Sequence, residues 1–403
     1  MSVYDRWHKS RPKPGEAKCK CRPSKVATAD HGKGMRWQVR WRDHSGKPQK
    51  LNFERLPDAQ RKDAEIKASL NRGDYVDPRA GKITVRQYGE QWLAAQTFDR
   101  STYELVELRL RLHVYPNLGD RELRDLRPSM IQTFSRALQI KLAPNYARAV
   151  FYHLSALLNA AVDDGLISKN PCQAGSVRSP KFETKRISPW TIDEVGSVAE
   201  AITRRYRAMV LAAAGLGLRQ GEAFGLAVDD IDYDRQVVHV RRQVKLLSRG
   251  RVRAFAPPKG GKLRDVPLPE AVAEQLRDHI KGYGPTKISL PWKTVDGGPH
   301  TAELVFVTRQ HTPIARKEFN LYVWKAALRR AGIATTRENG FHMLRHHFAS
   351  VLLEAGVSIK AVAEFLGHAD PGFTLRTYTH LMSSSEDRMR EAIEKAWSAL
   401  EVP

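Results

Sequence analysis

Two arginines, three histidines, a lysine and a tyrosine recur in short motifs between residues 214 and 380. In Ala214-Gly215-Leu216-Gly217-Leu218-Arg219-Gln220-Gly221-Glu222, an apolar helix ends at glycines and presents Arg219 at a turn. Glu222, three residues on, is spaced to orient that guanidinium. Pro257 to Leu268 follows the strand-like Val237–Val240 and reads as a hairpin with Lys259 near its tip and Lys262 as a rival lysine. In Phe341-His342-Met343-Leu344-Arg345-His346-His347-Phe348, i, i+3 spacing puts His342 and Arg345 on one helix face. Leu366-Gly367-His368-Ala369 follows, and then Thr374 to His380 with Tyr378 between. Such side chains can clamp an anion, exchange protons and supply an oxygen nucleophile. Each alone has an ordinary reading: a surface arginine, a hairpin lysine, a half-buried aromatic. His342 and His346 stand at metal-ligand spacing, but no Glu lies between them as in zinc proteases, so no metal is expected there.

The elements that must position these groups make a multidomain, mainly α chain with small β-sheets. The 403 residues exceed one small module. The formal charge of +23 calls for a polyanionic partner, usually nucleic acid. No stretch approaches the ~20 apolar residues of a membrane span. The polar start excludes a signal peptide, and three cysteines do not form a disulfide scaffold. A membrane protein, a secreted enzyme and an acidic binding tail are thereby argued against, and the odd cysteine count fits a reducing compartment.

Basic density peaks in residues 1–82, with 21 Lys/Arg against 10 Asp/Glu. Residues 1–34, rich in proline and lysine, are expected to be a flexible basic arm. Cys19 and Cys21 sit there with His8 and His31 nearby, but Cys-x-Cys is not zinc spacing, and no metal is assigned. Residues 35–80 read as a β-β-α module. Met35 to Arg42 alternate, with Trp37, Val39 and Trp41 on one face and Arg36, Gln38, Arg40 and Arg42 on the other. A turn at Asp43 to Lys47 leads to Leu51 and Phe53, and a helix runs from about Asp58 to Asn71, ended by Gly73. The polar face is a candidate DNA-binding surface, since a two-stranded ribbon can enter a major groove. Residues 83–172 predict four helices, with caps at Thr84 and Ser101, Leu105, Leu108 and Leu112 inward, Pro128 in a first turn, and a long helix from Asn145. Residues 173–189 read as a linker and residues 190–403 as a mixed α+β domain with a helical tail. In that tail Met389, Ile393, Ala396, Trp397 and Leu400 follow helical spacing.

With these motifs in this order, the chain resembles the tyrosine recombinases of the phage-integrase family. That family carries a glycine-preceded Arg with Glu three residues on, a hairpin Lys, His-x-x-Arg-His, Leu-Gly-His and Tyr-x-His. The resemblance covers residues 185–385 firmly. The helical region resembles, more loosely, the SAM-like core-binding domain of lambda-type integrases, and the basic module their arm-binding domain. It implies phosphoryl transfer through a 3′-phosphotyrosine at Tyr378, with Arg219, Arg345 and His368 on the phosphate. Lys259 would protonate the leaving 5′-oxygen, and His342 would help take the proton of Tyr378. Glu222 and His346 would orient these groups from behind. No cofactor is implied.

The implied partners are double-stranded DNA, with core and arm sites, and three further copies of the chain in a tetramer. The helical and catalytic domains would form a clamp around the core site. The tail would dock on a neighbouring subunit. An excisionase and a host DNA-bending protein are admitted as further partners. The implied activity is integration and excision of a phage or mobile element through a Holliday junction. The alternatives are an Xer-like chromosome or plasmid resolvase, a type IB topoisomerase, and a non-catalytic DNA-binding regulator. The resolvases typically lack the first ~80 residues.

Overall fold

The computed structural model describes residues 2–13, 15–42, 46–72, 75–77, 80–183, 187–247, 252–378, 390, 393–394 and 397–398. The chain divides into two compact units, Met1–Glu183 and Thr184–Pro403. The predicted turn residues Asp43 to Ser45, the helix stop Gly73, His380, and most of the tail, including Met389, Ala396 and Leu400, lie outside the described residues.

Among the described residues the first unit holds five strands: β1 (Ser2–Asp5), β2 (Lys18–Cys19), β3 (Arg22–Val26), β4 (Trp37–Arg42) and β5 (Pro48–Phe53). The segment expected to be a flexible arm therefore carries three of them. Its prolines and lysines give no period, so its order comes from backbone pairing and polar side-chain contacts instead. The expected two-stranded ribbon is a three-stranded antiparallel sheet in the order β1-β4-β5. Alternation along β4 puts Val39 and Trp41 inward, against Ala59 and Ile66 of helix α1 (Leu56–Arg72). β2 and β3 form a separate hairpin.

Helices α2 (Val85–Ala94), α3 (Arg100–Arg109), α4 (Tyr115–Leu118), α5 (Pro128–Lys141) and α6 (Pro144–Asp163) enclose a second core around Leu110, Leu154, Leu157 and Leu158. Thr84 accepts from the Gln87 amide, and Gln87 returns to the Thr84 amide. Asp99, not Ser101, caps α3. Leu105 and Leu112 face solvent, and the inward stripe is Val106, Leu110 and Val114. The inward face departs from the expected leucine stripe at its first position, Val106 in place of Leu105, ahead of a π turn at Leu110–Val114.

The second unit contains α7 (Ile192–Ala201), α8 (Arg207–Leu216), α9 (Gln220–Phe224), β6 (Ile231–Asp232), β7 (Val237–Val240), β8 (Gln243–Leu247), β9 (Val252–Ala256) and β10 (Arg264–Pro267). Then come α10 (Glu270–Tyr283), β11 (Thr286–Pro291), β12 (Pro299–Leu304), α11 (Arg316–Glu318), α12 (Lys325–Arg330), α13 (Met343–Glu354), α14 (Ile359–Leu366) and α15 (Pro371–Tyr378). β10 pairs with β7 in the order β10-β7-β6, while β8 and β9 pair with each other. The hairpin expected around Lys259 is therefore a loop joining strands of two different sheets. Its tip, Lys259–Gly261, is a single tight turn in which Gly260 and Gly261 take positive φ. Largely apolar α8 packs against α10 and α13, burying Met209, Val210 and Leu216. Among the described residues no helix is long and apolar enough to cross a membrane.

Candidate active site

The site assembles where α8 stops. Gly217 ends α8 in the left-handed conformation (φ 61°), and a Cβ there would stand 2.5 Å from the Phe348 ring. The chain then turns so that Arg219 stands at the start of α9. Glu222 Oε2 accepts from the Arg219 amide at 2.9 Å, and Oε1 accepts from Arg219 Nη1 at 2.9 Å. The same carboxylate therefore closes the first turn of α9 and aims the guanidinium.

Glu222 is itself buried, and Arg264 of β10 donates to it through Nη1 at 3.1 Å and Nη2 at 2.7 Å. Burial alone would raise this carboxyl. Arg264 and the charges of Arg219 and Arg345 outweigh it and hold the group down at about 2. Arg264 Nε donates to the Phe365 carbonyl at 2.7 Å, tying this pair to the end of α14. The sequence reading passed over Arg264. The available signal was its register: it shares the inward face of β10 with Val266.

Arg345 of α13 is 0% exposed. Its Nη1 donates to the Gly217 carbonyl at 2.8 Å, and its Nη2 to the Leu366 carbonyl. Its Nε is buried without a partner. Burial and the neighbouring Arg219 charge depress its pKa. Gly367, also left-handed (φ 63°), offers its carbonyl to Arg219 Nη2 at 3.3 Å. Two glycine-ended helices thus deliver carbonyls that hold the two arginines side by side, although like charges repel.

His368 follows directly, with Nδ1 2.7 Å from Thr374 Oγ1 in α15. Tyr378 closes α15 and is 2% exposed. Its hydroxyl lies 2.7 Å from His346 Nδ1. The ring of His342 stands edge-on to that of His346, with centroids 4.8 Å apart. The expectation gave His342 the tyrosine proton and His346 a supporting place. In the structure His346, one turn further along α13, meets the hydroxyl.

Burial pushes Tyr378 up to about 12, against the opposing pull of Arg345 and Arg219. Burial and then the Arg345 charge push both His346 and His368 down to about 4, so both imidazoles are neutral near pH 7. His342 is shifted the same way, first by desolvation and then by the charge of His346, although its outer side faces solvent.

Lys259 and Lys262 are both exposed. Lys262 lines a cavity of about 510 Å³ together with Arg264, Lys360 and His368, whereas Lys259 is not in its wall.

In the N-terminal sheet the four predicted DNA-facing residues separate into two pairs. Arg36 is engaged by Asp5 through Nε (3.1 Å) and Nη2 (2.8 Å) and lies over the rings of Trp7 and Trp37. Gln38 is buried and donates to Asn52 Oδ1 at 2.7 Å. Arg40 and Arg42 are exposed, Arg40 above the Tyr4 ring and opposite Lys50 of β5. Alternation put Val39 and Trp41 inward and Arg40 and Arg42 outward, but it could not show that Gln38 is buried or that β1 brings Asp5 to one end of the face.

The second unit matches the model of the phage integrase family over residues 189–384. Residues 84–139 match that of the phage integrase N-terminal SAM-like domain. The chain is 26% identical over 377 residues to a XerC-like tyrosine recombinase of Caldanaerobacter subterraneus, covering 87% of this chain and 93% of that one. It is 25% identical over 354 residues to the integrase of Mycobacterium phage D29, covering 86% and 89%. Its fold is similar to that of the Tn1549 transposon integrase in complex with a circular intermediate DNA. There the TM-score is 0.65, the identity 22%, and the coverage 77% of this chain and 99% of that one. It is also similar to a lambda integrase tetramer bound to a Holliday junction, with TM-score 0.55, 18% identity and coverage of 82% and 93%. With the phage integrase model matched across the arginine, histidine and tyrosine cluster just described, and the SAM-like model of the same family matched before it, the chain belongs to the phage integrase family of tyrosine recombinases.

Proposed function

We propose that the protein is a site-specific DNA recombinase that cuts and rejoins DNA through a phosphotyrosine at Tyr378. The observation that carries this reading is a tyrosine hydroxyl held 2.7 Å from a neutral imidazole beside two clustered arginines. The hydroxyl attacks the scissile phosphorus, and its proton passes to His346 Nδ1. The phosphorus–oxygen bond to the 5′-oxygen breaks, and a protonated lysine supplies that oxygen's proton. A 3′-phosphotyrosine and a free 5′-hydroxyl result, and the phosphodiester energy is kept in the covalent bond.

Arg219 and Arg345 hold the nonbridging oxygens; the unpartnered Nε of Arg345 is one donor ready for such an oxygen. His368, with Nδ1 committed to Thr374, has Nε2 left for another. The arriving negative charge would also raise the three depressed imidazoles. Lys259 is the general acid by family resemblance. Lys262 is the second reading, favoured by its place in the His368 cavity. A substrate with sulfur as the bridging leaving atom needs no general acid, so it should restore cleavage in whichever Lys→Ala variant has lost it.

The helical and catalytic domains take the core site and the basic N-terminal sheet takes arm sites. Four copies act together, linked through the tail, on two duplexes joined in a Holliday junction. The setting is the bacterial cytoplasm, and the DNA is that of a phage or an integrative element. An excisionase and a DNA-bending protein complete the reaction's partners. Mixing the protein with fragmented genomic DNA of its source, denaturing in SDS and sequencing the protein-linked DNA tests the reading. Adducts at one locus are expected. Retention of DNA only before denaturation would leave a binding protein without catalysis.

A further inference from the structure

The segment before β4 contains a cluster that the recombination chemistry does not use. The β2–β3 hairpin turns through Lys20 and Cys21, so Cys19 ends β2 and Cys21 lies in the tip two residues on. His8 reaches the far end of β3 through a bridge with Ala27. A turn from Thr28 brings in His31, whose amide donates to the Thr28 carbonyl at 3.1 Å. Cys19 Sγ stands 3.0 Å from Cys21 Sγ and 3.2 Å from His31 Nε2. Cys21 Sγ stands 3.1 Å from His31 Nε2 and 3.3 Å from His8 Nε2. All four donor atoms lie within 4.8 Å of one another. We propose that His8, Cys19, Cys21 and His31 form a structural zinc site.

The donor set and its surroundings carry the assignment. Two thiols and two imidazoles, with no carboxylate among them, make the Cys₂His₂ set of closed tetrahedral zinc. Zinc–sulfur bonds of ~2.3 Å place two thiolates about 3.8 Å apart, an opening of less than 1 Å from the present spacing. His8 and Cys19 are buried, and His8 holds Nδ1 2.9 Å from Asp5 Oδ2, leaving Nε2 for the cluster. A carboxylate behind a ligand imidazole fixes its ring and tautomer. Arg36 in turn grips Asp5 with two nitrogens.

The segment also lacks another source of order. The strand residues of the hairpin are mostly exposed, and the fully buried apolar core of the module is Val39, Trp41, Ala59 and Ile66. Segments with so little apolar burial need a staple. Cys-x-Cys spacing did not announce the site, because the tight hairpin and two separate turns bring the four donors together.

The full-length protein, expressed with zinc in the medium, should be analysed for metal by mass spectrometry and zinc X-ray absorption. About one zinc per chain with two sulfur and two nitrogen neighbours is expected. Cys19→Ser/Cys21→Ser and His31→Asn variants should each lose it. A chelator should open residues 2–34 to protease while residues 187–378 stay resistant, which separates loss of the metal from general unfolding. A chain without stoichiometric zinc, a double-cysteine variant that keeps the metal, or a Cys19–Cys21 disulfide in the intact protein would each overturn the assignment.

Discussion

At the scale of residues, catalytic readiness rests on a buried ionic cluster more than on any single group. Glu222 binds Arg219 and Arg264 at once, and both arginines are anchored to carbonyls near residue 366. Replacing Arg264 by Ala leaves a buried carboxylate short of its strongest partner. The expected loss is about 3–5 kcal/mol in urea unfolding, with Arg219 released from its orientation. The buried imidazoles set the pH response. His346 and His368 titrate near 4 when folded and near 6.5 when unfolded, so between these values the unfolded chain binds more protons. Stability should therefore fall as pH drops from about 6.5 toward 4, and His346→Gln should flatten that fall in thermal melts taken across the range.

Arg219, Arg345, His368 and Tyr378 were legible because each sits in a contiguous motif. Arg264 was not, since its partner is 42 residues away in sequence. Nor can a sequence show the carbonyls of Gly217 and Leu366. Choosing between His342 and His346 needed the direction from which α15 arrives.

At the scale of elements, two left-handed glycines end two helices at the site and fix where the chain turns. Gly217→Ala adds a Cβ 2.5 Å from Phe348 in a conformation disfavoured by roughly 1–2 kcal/mol before the clash is counted. The melting temperature should drop, and covalent DNA capture should weaken further than stability loss accounts for, because Gly217 also anchors Arg345. Helices with strong apolar stripes could be read locally. The pairing of β10 with β7 could not, because β8 and β9 intervene and form a sheet of their own. The stripe through Val106, Leu110 and Val114 likewise stands where one through Leu105 and Leu112 was expected. The N-terminal hairpin escaped because it is held by polar donors, which leave no hydrophobic period.

At the scale of the whole molecule, the proposed division of labour follows the charge of +23 and its N-terminal concentration. Phosphate contacts make binding salt-dependent, with a slope that falls by roughly 1 for each contact removed. Arg40→Ala and Arg42→Ala should each lower that slope for arm-bearing DNA and leave core cleavage intact. Arg36→Ala should instead loosen the module around Asp5 and His8, read as faster proteolysis of residues 2–34, with the slope little changed. Equal slopes for all three variants would assign the arm contacts to another face.

The central claim is that Tyr378 becomes joined to DNA. The measurement that meets it directly is peptide mapping by mass spectrometry of the SDS-stable adduct, after the DNA is trimmed to a short remnant. The expected result is a nucleotide mass on the peptide containing Tyr378 and no adduct from Tyr378→Phe. A remnant on any other residue, or undiminished adduct from Tyr378→Phe, would contradict the account.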